Sequence, residues 1–182
     1  MSDCCCAPST GAEPCCGAEP ASLQRTIVVE LCYLDVTTCE RCQGADQQVD
    51  AAVAAARQAL SPCGCAVECK KVLVEDEAMA RQYRLLSSPT IRVNGVDICD
   101  TVEENDCAEC SDIADTDVTC RVFEYRGEKH DVPPVPLVID AILRAYLDES
   151  GADREQEPYE LPENLARFFA GKRTAKTPVK SC

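Results

Sequence analysis

The sequence predicts an α/β fold: a central mixed sheet flanked by helices, with a cysteine-bearing insertion and an extra hairpin before the last core helix. Three observations predict it. Runs of β-branched residues alternate with stretches of helical period through the first half of the chain, the dipeptide Asn94-Gly95 separates two short strand-like runs, and an acidic segment, Thr101 to Asp117, interrupts the regularity. The dipeptide is the one that tight type I′ hairpins favour.

The elements follow in order. "RTIVVELCYLD" has the length and aliphatic content of a buried strand. From Cys39 the period changes, with Val49, Val53, Ala56 and Leu60 on one helical face, and "SPCG" stops that helix near Leu60. "AVECKKVLVE" alternates as a second strand, and "DEAMARQYRLL" is a second helix, acidic in its first turn. "SSPTIRVNGVDIC" holds the hairpin, Thr90–Val93 and Val96–Cys99.

Thr101 to Asp117 has seven acidic residues and no basic one, and it is expected to be an inserted loop carrying Cys107 and Cys110. "TCRVFEYRGEKHDV" predicts another hairpin turning near Arg126-Gly127. "PPVPLVIDAILRAYL" predicts a helix with proline at its start, where the missing N–H costs little. A last short helix should clamp Leu165, Phe168 and Phe169 onto the body. The expected organisation is a cysteine-rich disordered tail over 1–21, a domain over 22–150 with its insertion at about 99–132, and a C-terminal extension over 151–182 ending in a basic mobile stretch.

Composition narrows the function. The chain of 182 residues holds 16 cysteines and one histidine, at a formal net charge of -14. That charge opposes nucleic-acid binding, which needs lysine and arginine against phosphate. No apolar run is long enough for a membrane span or a signal-peptide core, so a cytoplasmic protein is expected. Thiols are kept reduced there, and dense cysteine then points to metal binding or redox chemistry rather than a disulfide framework.

With Cys39-Glu40-Arg41-Cys42 at the first strand-to-helix junction and Ser88-Pro89-Thr90 entering the hairpin, the chain resembles the thioredoxin fold. The likeness covers Thr26 to Gly95, and the helix from Pro136 to Leu147 would be its closing helix. The phrases "YLDVTTCERC", "LLSSPTIRVNG", "CRVFEYRGEKHDVPP" and "ENLARFF" look similar to an uncharacterised bacterial and archaeal thioredoxin-like family. The resemblance implies a cis Pro89 packed against the cysteine pair, with Ser88 and Thr90 beside the place where a substrate chain would pair. The insertion, and Glu40-Arg41 where thioredoxin has Gly-Pro, depart from that pattern.

The thiol chemistry leaves two function classes open. A helix N-terminus favours thiolate, so Cys39 would attack a disulfide and Cys42 would resolve it, with Cys107 and Cys110 as a second redox pair or relay. Such an oxidoreductase needs no cofactor, and its partner is a protein disulfide. The alternative is a soft-metal or metalloid binding protein on the same fold, using Cys39, Cys42 and the tail thiols Cys4, Cys5, Cys6, Cys15 and Cys16, which suit copper, mercury or arsenic. Cys99, Cys107, Cys110 and Cys120 form a candidate zinc set that would order the insertion, although only one C-x-x-C knuckle is present. Cys63, Cys65 and Cys69 carry no site signal, Cys32 reads as core, and His130 reads as a surface residue on a hairpin.

Overall fold

The structure, a computed structural model, describes residues 25–148 and 158–175 and is a mixed α/β arrangement. Strands β1 (Arg25–Tyr33), β2 (Cys65–Leu73), β3 (Thr90–Val93) and β4 (Val96–Asp97) form one sheet in the order β2-β1-β3-β4. β1 is parallel to β2, antiparallel to β3, and β3 is antiparallel to β4. The parallel pair is bridged by helix α1 (Glu40–Leu60), as a parallel connection requires. Its buried residues Val49, Ala52, Val53, Ala56 and Leu60 recur at helical spacing. A short 3-10 turn over Ser61–Cys63 and Gly64 at φ 72 then end it.

The hairpin turn falls at Asn94 and Gly95, with φ 50 and 81, and the second turn at Arg126 and Gly127, with φ 53 and 81. Both pairs have the double left-handed backbone of a type I′ turn. Helix α2 (Glu77–Gln82) begins at Asp76, whose side chain accepts the Met79 N–H. The second turn joins β6 (Thr119–Tyr125) to β7 (Glu128–His130), and helix α4 (Val135–Leu147) follows.

The insertion is not the loop that its acidity suggests. It forms strand β5 (Glu103–Asp106), paired antiparallel with β6, and helix α3 (Ala108–Ala114). The physical reason is a small apolar face that acidic composition conceals: Cys107, Cys110, Ala114, Val118 and Cys120 are all buried. Its acids face outward, where Glu103 pairs with Lys129 at 2.7 Å.

Two cores result. The first sets Ile27, Val29 and Leu31 of β1 against α1 and α4, through Val49, Val53, Val138 and Ile142. The second gathers Leu34, Val72, Val74 and Leu85 around six cysteines and closes over them with Leu165, Phe168 and Phe169 of helix α5 (Glu163–Ala175). Among the described residues no helix is long and apolar enough to cross a membrane.

Candidate metal centre

The second core holds the chemistry. Cys39 is the residue preceding α1, its backbone extended at φ -76 and ψ 112. Cys107 precedes α3 in the same manner, Cys110 lies one turn into α3, and Cys120 lies on β6. All four are buried, and their Sγ atoms lie within 4.8 Å of one another. Cys39 and Cys107 approach to 4.0 Å, and Cys110 and Cys120 to 3.3 Å. A tetrahedral four-sulfur site with metal–sulfur bonds of about 2.3 Å has sulfur–sulfur edges of about 3.8 Å. The observed spacing brackets that value, so these four residues could hold a metal ion without any histidine or carboxylate.

This set differs from the expected zinc set in one member. Cys99 is not part of it: it packs, half-buried, against the first core, and its backbone N–H is taken by Asp97 at 3.0 Å. Cys39 stands in its place. The residue expected to lead a redox pair therefore meets the insertion's three thiols.

The thiols are coupled. Hydrogen bonds from Cys107, then Cys110, Cys120 and Cys42, hold Cys39 well below the usual thiol range against the opposing effect of burial. Cys107 is lowered too, chiefly by Cys110 and then by Cys120. Cys110 and Cys120 are raised, each first through its hydrogen bond to Cys107. Cys42, fully buried, is raised by its hydrogen bond to Cys39 and by burial, and its sulfur sits 3.7 Å from the Ser88 hydroxyl.

Three residues that motif reading passed over shape the site. The Asp35 carboxylate accepts the N–H groups of Thr38 at 2.6 Å, Thr37 at 2.9 Å and Cys39 at 3.3 Å. Burial works against its charge, but these bonds prevail and lower its pKa. Arg41, between the two cysteines of the motif, donates to the Asp106 carbonyl at 2.8 Å and to the Asn105 side chain, tying β5 to the start of α1. Arg121 is fully buried; its guanidinium makes two 2.8 Å bonds to Asp97 and one of 3.1 Å to Thr90 Oγ1. A lone arginine amid the apolar run "CRVF" was the available signal.

The Ser88-Pro89 peptide bond is cis. The Ser88 carbonyl beside it accepts the Arg121 N–H at 2.9 Å, and Thr90 Oγ1 donates to the Ser87 carbonyl at 2.7 Å. Where a substrate chain was expected to pair, the Ser88 carbonyl already accepts a backbone hydrogen bond from Arg121 of β6. Cys63 is exposed, Cys65 buried, Cys69 half-buried and Cys32 fully buried, none of them in the four-thiol set. His130 lies 4.0 Å from Glu128 at the surface. Cys4, Cys5, Cys6, Cys15 and Cys16 fall outside the described residues.

Residues 27–142 match the model of a family described as a domain of unknown function, DUF2703, and the chain belongs to that family. No curated protein and no solved structure matches the chain.

Proposed function

We propose that this member of the DUF2703 family is a thiol-based metal-binding protein on a thioredoxin-like scaffold, in which Cys39, Cys107, Cys110 and Cys120 hold one thiophilic divalent ion, zinc being the best fit. The observation that carries the reading is four buried sulfurs within 4.8 Å of one another, three from one stretch of the chain and the fourth, Cys39, from a distant helix start. Four thiolates complete a tetrahedral set with no open position, as in sites that bind and order rather than catalyse. The scaffold reading is supported by the strand order β2-β1-β3-β4, by a helix opening at Cys39, and by the cis Ser88-Pro89 bond beside Cys42.

Thiol-disulfide exchange is the second reading, favoured by one observation: Cys42 lies a turn inside α1, three residues after Cys39 and buried in the same core. Against a protein disulfide as its substrate stand the full burial of both sulfurs and the Ser88 carbonyl already engaged by Arg121. Metal capture at the four thiols requires no substrate chain at Ser88.

The test is metal analysis with sulfur-edge and metal-edge absorption spectroscopy on the full chain purified anaerobically after zinc loading. About one ion per chain with four sulfur neighbours at about 2.3 Å is expected, lost in Cys39→Ser and Cys110→Ser and kept in Cys99→Ser. Retention of that ion in both Cys39→Ser and Cys110→Ser would overturn the assignment. So would the absence of any four-sulfur ion in the unaltered chain.

A further inference from the structure

We infer that Cys42 is the resolving thiol of a redox switch on the metal centre: oxidation joins Cys39 to Cys42 and withdraws one of the four ligands. The inference rests on the metal reading above. It follows from the place of Cys39, whose sulfur belongs to two sets at once. In one it faces Cys107 at 4.0 Å within the four-thiol cluster; in the other it lies three residues before Cys42, which is buried in the same core.

Cys39 and Cys42 stand at the cap and the third residue of α1, a spacing that brings side chains to one face. Residues three apart at a helix start have Cβ atoms about 5–6 Å apart, and a disulfide needs about 3.5–4.5 Å, so closing one asks only for a local shift of the first turn. A sulfur bonded to Cys42 is no longer a thiolate and binds an ion poorly, so the two states exclude each other. Cys42 is buried in the same core without belonging to the four-thiol set, its sulfur 3.7 Å from the Ser88 hydroxyl. Alternative pairings among Cys107, Cys110 and Cys120 would each consume two ligands. This pairing consumes one and leaves three for recapture on reduction.

The oxidant is a small peroxide. Although Cys39 is buried, its flanking residues Thr37, Thr38 and Glu40 are exposed, so the sulfur lies one residue beneath the surface. The Cys39 thiolate attacks one peroxide oxygen, forming the sulfenic acid and expelling hydroxide. The Cys42 sulfur then attacks the Cys39 sulfur; the S–S bond forms, the S–O bond breaks, and the Cys42 proton leaves with the oxygen as water. Two sulfurs lose two electrons in total, and one hydrogen peroxide becomes one hydroxide and one water.

The experiment loads the full chain with zinc, adds hydrogen peroxide, and follows zinc release with a chromogenic chelator while mass spectrometry maps the disulfides. Expected is release in step with a Cys39–Cys42 disulfide, reversed by dithiothreitol, and roughly tenfold slower in Cys42→Ala and Cys42→Ser while Cys63→Ser behaves as the unaltered chain. Two Cys42 variants are used so that misfolding of one is recognised, zinc content before oxidation reporting the intact centre. Release at an unchanged rate from a zinc-loaded Cys42 variant would overturn the switch, as would a released protein whose disulfides lie only among Cys107, Cys110 and Cys120. Failure of the unaltered chain to take up zinc would instead overturn the metal reading on which the switch rests.

Discussion

At the scale of single residues, the cysteines divide by what surrounds each sulfur. Cys32 sits in the second core, yet burial, and then the Glu30 carboxylate 3.7 Å away, push its thiol up to about 12, against the opposing pull of Arg92. Its folded pKa lies above the unfolded thiol's value of about 8.5, so the stabilisation is fully present below that value and is lost as pH rises towards 12. Iodoacetamide at pH 8 should therefore label exposed Cys63 and leave Cys32 unmodified until the chain unfolds, with peptide mass spectrometry as the readout. Labelling of Cys32 at the rate of Cys63 would refute this account. The same local logic explains why the site was legible only in part. Cys107, Cys110 and Cys120 announce themselves by spacing and Cys39 by its junction, but spacing cannot tell which face a thiol takes: Cys99, near in sequence, packs on the first core, and Cys39, distant, reaches the cluster.

At the scale of elements, strands and helices with clean periodicity were readable, and those built from other signals were not. α1 ends at Leu60 and the two hairpins turn where Asn94-Gly95 and Arg126-Gly127 place them. β5 and α3 escaped because their buried face is made of cysteine and alanine, residues that carry little apolar weight in a segment of seven acids. What orders α3 is contact with α5, and that contact depends on Gly171. A Cβ there would lie 1.8 Å from the Ala114 carbonyl oxygen, a backbone atom that cannot step aside. Alanine favours an isolated helix by up to about 1 kcal/mol over glycine, but here overpacking should dominate and cost about 1–3 kcal/mol. Gly171→Ala is thus expected to lower the urea midpoint and to weaken zinc retention, since lifting α5 frees the end of the helix that carries Cys110. A midpoint raised by the substitution would show that α5 tolerates a shift without disturbing the centre.

At the scale of the whole molecule, one of the four thiols belongs to the core and three to the insertion, so an ion held by them would join two parts that also meet through a set of polar ties. Among those ties are the Arg121 bonds to Asp97, Thr90 and the Ser88 carbonyl and the Arg41 bonds to Asp106 and Asn105, to which Phe168 and Phe169 add packing. The first core rests mainly on β1, α1 and α4 burying one another, with Phe123 of β6 packed among them. Removing the ion should therefore act unevenly. A chelator is expected to speed hydrogen exchange in residues 103–118 and 163–171, while 27–33 and 49–60 change little, because four thiols held only by weak S–H bonds no longer fix the insertion against α1. Cys39→Ser should reproduce that pattern without chelator, because it removes the single ligand that the core supplies. If exchange instead rose equally in both regions, the two cores would open as one unit and the ion would be holding the fold as a whole; if it rose in neither, Arg121, Arg41 and α5 would suffice to seat the insertion. Only the uneven result makes the centre a joint between core and insertion, the arrangement in which a Cys39–Cys42 bond could loosen one part and leave the other folded.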